Sequence, residues 1–498
     1  MNVKFLLPLL AAVMLVACVK TEPPFVNEDA STFTEISSIV AGEGGTAEIM
    51  AFDPKTKKLF SVSNTTTSSQ INIIDLSNPA APLVAGYINV SAYGRVAHSV
   101  AVSNGKLAVS IEAAVKTDPG KVVIFNTSDH SLVKQITVGA YPDMLTYTPD
   151  GNYILTADEG EPNVTYTVDP PGTVSIISVN NNYSVTTVGF SGFASQQAAL
   201  QAKGLRVFGP GASFAQDMEP EYITVSSDSK TAWVTLQENN GIAKISIASK
   251  VATAIFPLGF KDFNLEMNAM DPSDRDGGIA LNKWGNVKGM YQPDGIGVFE
   301  HKGSPYLFTA NEGDTRDYTG FSEIARVGAL TLDPLAFPDA TLKQDAKAGR
   351  LNVTKTLGDL GNDGDYDQLY AFGARSFSVW NGNSGELLFD SKKQLEQKSI
   401  EAGLYDDLRS DDKGVEPEVI TLGTVGRSPI AFVGMERSNA VAVYNISDPV
   451  NPAFIKLLTG VVGPEGVTFI PAAQSPLGKS LLVISSEVNG LIKVFKTN

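Results

Sequence analysis

Apolar and polar residues alternate along most of the chain in short runs, which is the period of a strand with one buried face. Four such runs, separated by turn residues, form one repeat, as at 98–102, 106–111, 121–125 and 133–138. Most repeats open on the same cue, a proline followed by an acidic residue and then by alternating apolar residues. This cue occurs at Pro142-Asp143, Pro220-Glu221, Pro293-Asp294, Pro417-Glu418 and Pro464-Glu465. Four antiparallel strands per repeat, arranged radially, are typical of a β-propeller.

The number of repeats predicts eight blades. The sixth repeat has strand runs at 351–357, 368–372, 376–380 and 386–390. Because this repeat is irregular, seven blades remains the alternative. The last repeat has three strands, and an isolated run at 31–40 supplies a fourth, which removes an open sheet edge. We therefore predict an all-β protein with a single β-propeller of four-stranded antiparallel blades over residues 31–498, in which the two termini close one blade.

The N-terminal residues have the pattern of a bacterial lipoprotein signal. An apolar run at 5–16, too short to span a bilayer, ends in Leu15-Val16-Ala17-Cys18, which matches a lipobox. We expect a signal peptide at 1–17, a lipid on Cys18 and a polar tether at 18–30. This predicts a protein of the bacterial cell envelope, attached to the membrane by its N-terminal lipid and facing the periplasm or the cell exterior. Cys18 is the single cysteine, so disulfides and cysteine catalysis are excluded.

Composition and net charge restrict the classes of partner that the protein is expected to bind. The 498 residues are 43% hydrophobic and 18% charged, which is typical of a globular protein. The formal net charge of −16 argues against a nucleic-acid partner, because phosphate contacts need a basic surface. The three histidines, His98, His130 and His301, lie in different repeats without ligand spacing, so a histidine-rich zinc site is not expected. The acidity suits cation binding, although an acidic soluble surface would have the same composition.

Acidic residues recur at two positions of the repeat. One set lies at the start of the first strand, which lines the channel of a propeller: Glu48, Asp143, Glu221, Asp294, Glu418 and Glu465. The other set follows the second strand: Glu112, Glu159, Glu238, Glu312, Glu436 and Glu487. Converging carboxylates repel one another unless cations bridge them, and their oxygens suit Ca²⁺. The alternative is that these acids accept hydrogen bonds from backbone N–H groups between blades. His98 takes the place of the acid in the second repeat.

Two aspartate-rich loops are further candidates for calcium ligands. The first contains Asp271, Asp274 and Asp276, and the second contains Asp363, Asp365 and Asp367. Acids at alternate positions let a tight loop place several oxygens around one Ca²⁺. The second loop is not an EF-hand, because Gln368 and Ala374 stand where that motif needs glycine and glutamate. A solvated turn is the alternative for each loop.

Several motifs resemble the choice-of-anchor I propeller family, which is related to the mesenchyme-specific cell-surface glycoprotein of echinoderms. The matching segments are 96–102, 156–162, 274–278, 288–294, 310–318 and 370–380. They include Ala157-Asp158-Glu159-Gly160-Glu161-Pro162 and Ala310-Asn311-Glu312-Gly313-Asp314-Thr315-Arg316-Asp317. The resemblance implies a secreted or surface-anchored propeller, with calcium or mineral association in the animal relatives. It carries no catalytic residues over to this chain.

We therefore predict a surface-anchored lipoprotein that binds Ca²⁺ and, at a propeller face, a protein, glycan or mineral ligand. Neither a nucleotide nor a haem cofactor is expected. The alternative is a calcium-dependent phosphoesterase, in which bound ions orient water and neutralise phosphate. That activity needs basic groups beside the acids, and the candidates are Arg316, Arg375 and Arg437. The competing interpretation of these arginines is that they form salt bridges with the acids of the channel.

Overall fold

The computed structural model describes residues 26–41, 49–65 and 68–498. The predicted signal peptide, Cys18 and Glu48 lie outside these residues, and so does the side chain of Glu487. The described chain forms seven four-stranded antiparallel sheets, in which the strands of blades 1 to 6 are paired in chain order. Seven blades are therefore present where the repeat count predicted eight.

The blades are numbered in chain order. Blade 1 consists of Met50–Asp53, Lys58–Asn64, Ser69–Asp75 and Leu83–Asn89. Blade 2 consists of Ala97–Ser103, Lys106–Ile111, Pro119–Asn126 and Leu132–Ala140. Blade 3 consists of Pro142–Tyr147, Tyr153–Asp158, Thr173–Ser178 and Ser184–Val188. Blade 4 consists of Pro220–Val225, Thr231–Leu236, Gly241–Ser246 and Val251–Pro257.

The remaining blades include the one that joins the termini. Blade 5 consists of Ile296–His301, Ser304–Asn311, Ser376–Asn381 and Leu387–Asp390. Blade 6 consists of Pro417–Val425, Ser428–Met435, Ala440–Asn445 and Ala453–Thr459. Blade 7 consists of Pro464–Ile470, Leu481–Ser486, Leu491–Lys496 and, from the other end of the chain, Thr34–Val40. The predicted closure of one blade by both termini is confirmed.

The first strands of successive blades contact one another around a ring, and the first strand of blade 7 contacts that of blade 1. The core lies between the blades, so the inner strands are buried on both faces and consist of continuous apolar runs. The strand Lys106–Ile111 is an example, with all but its first residue buried. Outer strands keep only one buried face or less, as in Leu83–Asn89, where only Ile88 is buried.

The predicted sixth repeat does not form a blade. Its segment Ser376–Asn381 pairs with Ser304–Asn311 and completes blade 5. Its segments Asn352–Thr354 and Leu369–Ala371 instead join Phe260–Asp262, Val287–Met290 and Ile324–Arg326 in a separate five-stranded sheet. This sheet has its own core, formed by Phe263, Met270, Val287, Leu351, Val353 and Leu369 among others. The extra strands therefore bury their apolar faces outside the ring.

The other elements are short. A two-stranded sheet pairs Asp317–Tyr318 with Phe321–Ser322. The α-helices are Gln197–Gln201 and Gln394–Glu401. The 3₁₀ helices are Ala30–Thr32, Ser191–Gln196, Glu266–Asn268, Val327–Ala329, Asp407–Arg409 and Glu487–Asn489. In the part of the chain that the structure describes, no helix is both long and apolar enough to cross a membrane.

A β-bulge explains the cue at the start of the blades. In blades 2, 3, 4, 6 and 7 the pairing register between the first two strands shifts directly after the opening residue. In blade 3, for example, Pro142 is paired with Asp158 and Met144 with Ala157, which leaves Asp143 as the extra residue. A bulge interrupts the alternation of the strand and re-aims its side chains. In blades 3, 4 and 6 the acid and the residue after it therefore both face the channel.

Candidate cation site in the central channel

The channel widens into a cavity of about 320 Å³. All five described first-strand acids line it, as the cue predicts, together with further polar and apolar groups. The lining residues are Ile49, His98, Ser99, Asp143, Met144, Glu221, Tyr222, Gln237, Asp294, Glu312, Asp314, Glu418, Val419 and Glu465. Burial, with the repulsion of neighbouring carboxylates added, raises the pKa of Asp294 and of Glu418 well above the ordinary range. The cavity is therefore a poorly solvated region of concentrated negative charge.

Three carboxylates from blades 3 and 4 converge beside this cavity, which only one of them, Glu221, lines. We call them the blade 3–4 triad: Glu159, Glu221 and Glu238. One oxygen from each lies within 4.8 Å of the others. Glu159 and Glu238 are each only 4% exposed. Burial, followed by repulsion from the other carboxylates, raises the pKa of all three well above the usual range. Bringing three acids together in this way is unfavourable unless a cation or protons neutralise them.

Backbone contacts fix the triad in place. Glu159 follows the second strand of blade 3, and its N–H donates to the carbonyl of Tyr141 at 2.9 Å. Glu238 follows the second strand of blade 4, and its carbonyl accepts from Nη1 of Arg206 at 2.9 Å. Glu221 belongs to the bulge at the start of blade 4. The same two repeat positions, on neighbouring blades, thus bring the acids together.

Within the described residues, no lysine, arginine or histidine forms an ion pair with the triad. The Oε2 atoms of Glu221 and Glu238 are buried and have no hydrogen-bond partner among those residues. A buried carboxylate oxygen without a partner is strongly unfavourable in a folded protein. The triad therefore presents buried carboxylate oxygens that either a cation or protons can neutralise.

In a second cluster of three acids, basic side chains of the protein itself neutralise the carboxylates. Glu312, Glu416 and Glu436 also converge within 4.8 Å. Here Lys413 lies 2.6 Å from Glu312 and Arg437 lies 3.0 Å from Glu436. Burial opposes ionisation of Glu312, but Lys413 outweighs it, so the pKa of Glu312 lies below its ordinary value. This cluster, the Lys413 cluster, carries its own cations.

Blade 2 is neutralised in a similar way. Glu112 pairs with Arg95, and its Oε2 lies 3.4 Å from Nε2 of His98. The other ring nitrogen of His98 is 3.5 Å from Asp143. His98 thus faces the channel and links acids of blades 2 and 3. Among the described second-strand acids, Glu112, Glu312 and Glu436 have a basic side chain within ion-pair distance, whereas Glu159 and Glu238 do not.

The first aspartate-rich loop is only partly assembled. Asp271 and Asp276 converge within 4.8 Å with Asp407, a residue that the sequence did not single out. Asp274 points elsewhere, because Arg350 binds both of its oxygens, at 2.8 and 3.0 Å. The carboxylate of Asp271 accepts from the N–H groups of Ser273 and Ala280, and burial raises its pKa to about 6. The three predicted ligands therefore do not converge on one point.

In the second aspartate-rich loop, too, only some of the predicted ligands lie close together. Asp365 and Asp367 lie within 4.8 Å of Asp333, but Asp363 is not part of this group. Oδ2 of Asp367 accepts from the N–H of Leu360 at 2.9 Å. Such a hydrogen bond also fits the alternative of a solvated turn. Calcium at either loop stays a prediction.

The three candidate arginines differ in exposure. Arg316 is 1% exposed and pairs with Asp217 and Glu219. Arg375, also 1% exposed, binds Glu396 at 3.1 Å and donates to the carbonyls of Asp271, Ser410 and Asp412. Neither lines the channel cavity. Arg437 is 41% exposed and pairs with Glu436 and Glu416 of the Lys413 cluster. All three form salt bridges, but only Arg437 pairs with one of the predicted repeat acids, Glu436, whereas the partners of Arg316 and Arg375 lie outside the predicted sets.

Several residues of the channel were missed by the sequence reasoning. Asp314 and Gln237 line the cavity, and Gln237 donates to Glu312 at 2.9 Å. Lys413 and Glu416 belong to the cluster around Glu312. Glu416 directly precedes Pro417 of the cue, and Asp314 lies two residues after Glu312. Acids adjacent to the repeat positions are therefore the signal that points to them. No comparable signal marks Lys413.

Comparison with known proteins agrees with this architecture. The family description "Choice-of-anchor I domain" matches residues 48–449. Gigasin-3a of Magallana gigas is 27% identical over 189 residues, which cover 31% of this chain and 66% of that protein. The mesenchyme-specific cell surface glycoprotein of Strongylocentrotus purpuratus is 23% identical over 334 residues, which cover 56% of this chain and 42% of that protein. The chain thus spans less than two thirds of each relative.

Solved structures show the fold alone. The WD40 repeats of RRP9 superpose with a TM-score of 0.51 at 9% identity, over 95% of this chain and all of that chain. The structure of U3-55K superposes with a TM-score of 0.50 at 9% identity, over 94% of this chain and all of that chain. Fold and family match together support a surface-associated propeller. The chain belongs to the choice-of-anchor I family.

Proposed function

We propose that this protein is a surface-anchored propeller that binds Ca²⁺ at the blade 3–4 triad. One observation carries the proposal: Glu238 is 4% exposed, and its Oε2 has no hydrogen-bond partner among the described residues. Ca²⁺ takes six to eight oxygen ligands in flexible geometry, and carboxylates can bind it through one or both oxygens. Glu159, Glu221 and Glu238 would supply the charged ligands, with water and backbone carbonyls completing the shell.

The contrast with the Lys413 cluster supports this proposal. Each cluster has three carboxylates, and in each one the ligand oxygens lie within 4.8 Å of one another. Only the Lys413 cluster has basic side chains within ion-pair distance of its carboxylates in the described chain. A bound divalent cation would neutralise the carboxylates of the triad, as Lys413 and Arg437 neutralise those of the other cluster.

The wider role follows from the predicted anchor. A lipid on Cys18 would hold the propeller at the cell envelope, with the remaining propeller surface available to a protein, glycan or mineral ligand. Bound Ca²⁺ would stiffen the junction of blades 3 and 4, because one ion would bridge side chains of both. The phosphoesterase alternative is less well supported, since Arg316 and Arg375 are enclosed by protein acceptors.

A calcium titration followed by thermal and urea unfolding tests the proposal. At a free Ca²⁺ concentration one hundred times the Kd, the wild-type unfolding free energy is expected to rise by about 2.7 kcal/mol. Glu238→Gln should fold, since it removes repulsion without changing shape, and should lose this increment. The matched control is Glu386→Gln, the same change at an exposed residue of blade 5, and it should keep the increment. Equal calcium responses of the two variants, or no response of the wild type, would contradict the proposal.

A further inference from the structure

The cavity is lined by two kinds of surface in a regular order. In blades 3, 4 and 6 the bulge lets both the acid and the residue after it line the cavity. Asp143 is followed by Met144, Glu221 by Tyr222 and Glu418 by Val419, and all six line the cavity. A metal ion would use the carboxylates but not the band of carbon atoms beside them. A ligand with a cationic head and a hydrocarbon body would use both.

The size of the cavity also exceeds the needs of one ion. At about 320 Å³ it falls in the range of sites for small organic ligands, whereas a single water takes about 30 Å³. The negative charge extends beyond the blade 3–4 triad, since Asp294 and Glu418 line the cavity on blades 5 and 6. A ligand with two or more positive groups, separated along its hydrocarbon chain, would pair with carboxylates on several blades.

Two unpartnered polar groups indicate where hydrogen-bond donors and acceptors are needed. Ser99 is 1% exposed and lines the cavity, and its hydroxyl has no partner among the described residues. Oε2 of Glu418 is likewise buried without a partner. An ammonium group has three donors, and its bonds to carboxylates are among the strong ones in proteins.

We propose that the channel cavity binds a linear aliphatic diamine or a longer polyamine. Its ammonium groups lie among Asp294, Glu418 and the hydroxyl of Ser99, and its methylene chain packs on Met144, Tyr222 and Val419. The ring of Tyr222 adds an aromatic surface beside a cation. This site goes beyond the calcium proposal and shares only Glu221 with the triad, so either site can fail without the other.

The test is calorimetry on the full chain in saturating Ca²⁺, with 1,5-diaminopentane as the probe. Ammonium chloride provides the charge without the chain, and 1,5-pentanediol provides the chain without the charge. The diamine is expected to bind at least tenfold more tightly than ammonium, and the diol should give no binding heat. If the diamine gives no heat, or if ammonium matches it, the proposal is overturned. This comparison needs only the wild-type protein, so it does not depend on the folding of a variant.

Single substitutions then test where in the protein the diamine binds. Glu418→Gln is expected to weaken diamine binding at least tenfold, whereas the exposed Glu386→Gln should leave it unchanged. Glu238→Gln should lose the calcium response and keep the diamine, which separates failure of this proposal from failure of the calcium site. If Glu418→Gln folds and binds the diamine as tightly as Glu386→Gln does, the diamine is not in the channel, and the proposal is overturned.

Discussion

Replacing Arg316 by methionine is expected to lower the unfolding free energy by about 3–5 kcal/mol. The guanidinium is 1% exposed, and it lies 2.5 Å from Oδ1 of Asp217 and 3.0 Å from Oε2 of Glu219. It also donates to the carbonyl of Asp217 at 2.8 Å. Methionine fills much of the same space but leaves two buried carboxylates without their cation, which is the most destabilising way to break a buried ion pair. Urea unfolding with calcium held constant measures the effect.

A surface ion pair provides the control for this prediction. Arg275 is 55% exposed and pairs with Asp345, which is 60% exposed. Arg275→Met should change stability by no more than about 1 kcal/mol, because exposed pairs contribute little. Adding Asp217→Asn and Glu219→Gln to Arg316→Met should restore part of the lost stability, since no unpaired charge then remains. If Arg316→Met unfolds like Arg275→Met, the buried network does not stabilise the propeller.

In calcium-free buffer, the unfolding free energy of Asp158→Asn is expected to rise by about 2 kcal/mol relative to that of the wild type as the pH increases from 4 to 7. Asp158 is fully buried, and burial raises its pKa from 3.8 to about 6 despite donors from Thr156, Thr173 and Ser175. A carboxyl with a raised folded pKa contributes stability that is fully present below pH 3.8. That contribution is lost as the pH rises through 6. The asparagine variant cannot ionise, so it escapes this loss.

Urea unfolding at a series of pH values, with a chelator present, measures the difference between the two proteins. Asp448→Asn makes the same chemical change at an exposed turn and should follow the wild-type curve. Other carboxyls affect all three proteins equally, so the difference isolates Asp158. Parallel curves for Asp158→Asn and the wild type would show that the folded protein does not favour the protonated form of this residue. A difference of the opposite sign would lead to the same conclusion.

Local signals in the sequence were sufficient to predict a propeller of four-stranded blades and the first-strand acids that line the channel. The cue around Pro142 and Asp143 marks a bulge, and a bulge is set by a few adjacent residues whatever lies elsewhere in the chain. For the same reason, the sequence predicted that Glu221 and Glu418 face the channel. The predicted signal peptide and lipid anchor lie outside the described residues and stay predictions.

Long-range pairing could not be read from the sequence. Asn352–Thr354 and Leu369–Ala371 have the pattern of blade strands, and nothing local shows that they pair with a separate sheet. Pairing partners depend on packing across the whole fold, which is why eight blades were counted. The sequence did not show which acids are neutralised by basic side chains, for the same reason. Glu312 and Lys413 are 101 residues apart in sequence but 2.6 Å apart in space. Nothing in the sequence therefore distinguishes the Lys413 cluster, whose acids pair with basic side chains, from the blade 3–4 triad.

The closure of blade 7 has a consequence for biosynthesis. Thr34 is paired with Lys496, so the strand Thr34–Val40 needs a partner that is synthesised much later. At 5–20 residues per second, that partner follows after roughly half a minute or more. Blades 1 to 6 can form from segments that lie close together in the chain, whereas blade 7 has to wait until Lys496 has been synthesised. Until then its unpaired strand edges can pair with other chains, and a chaperone that covers the strand Thr34–Val40 would prevent this.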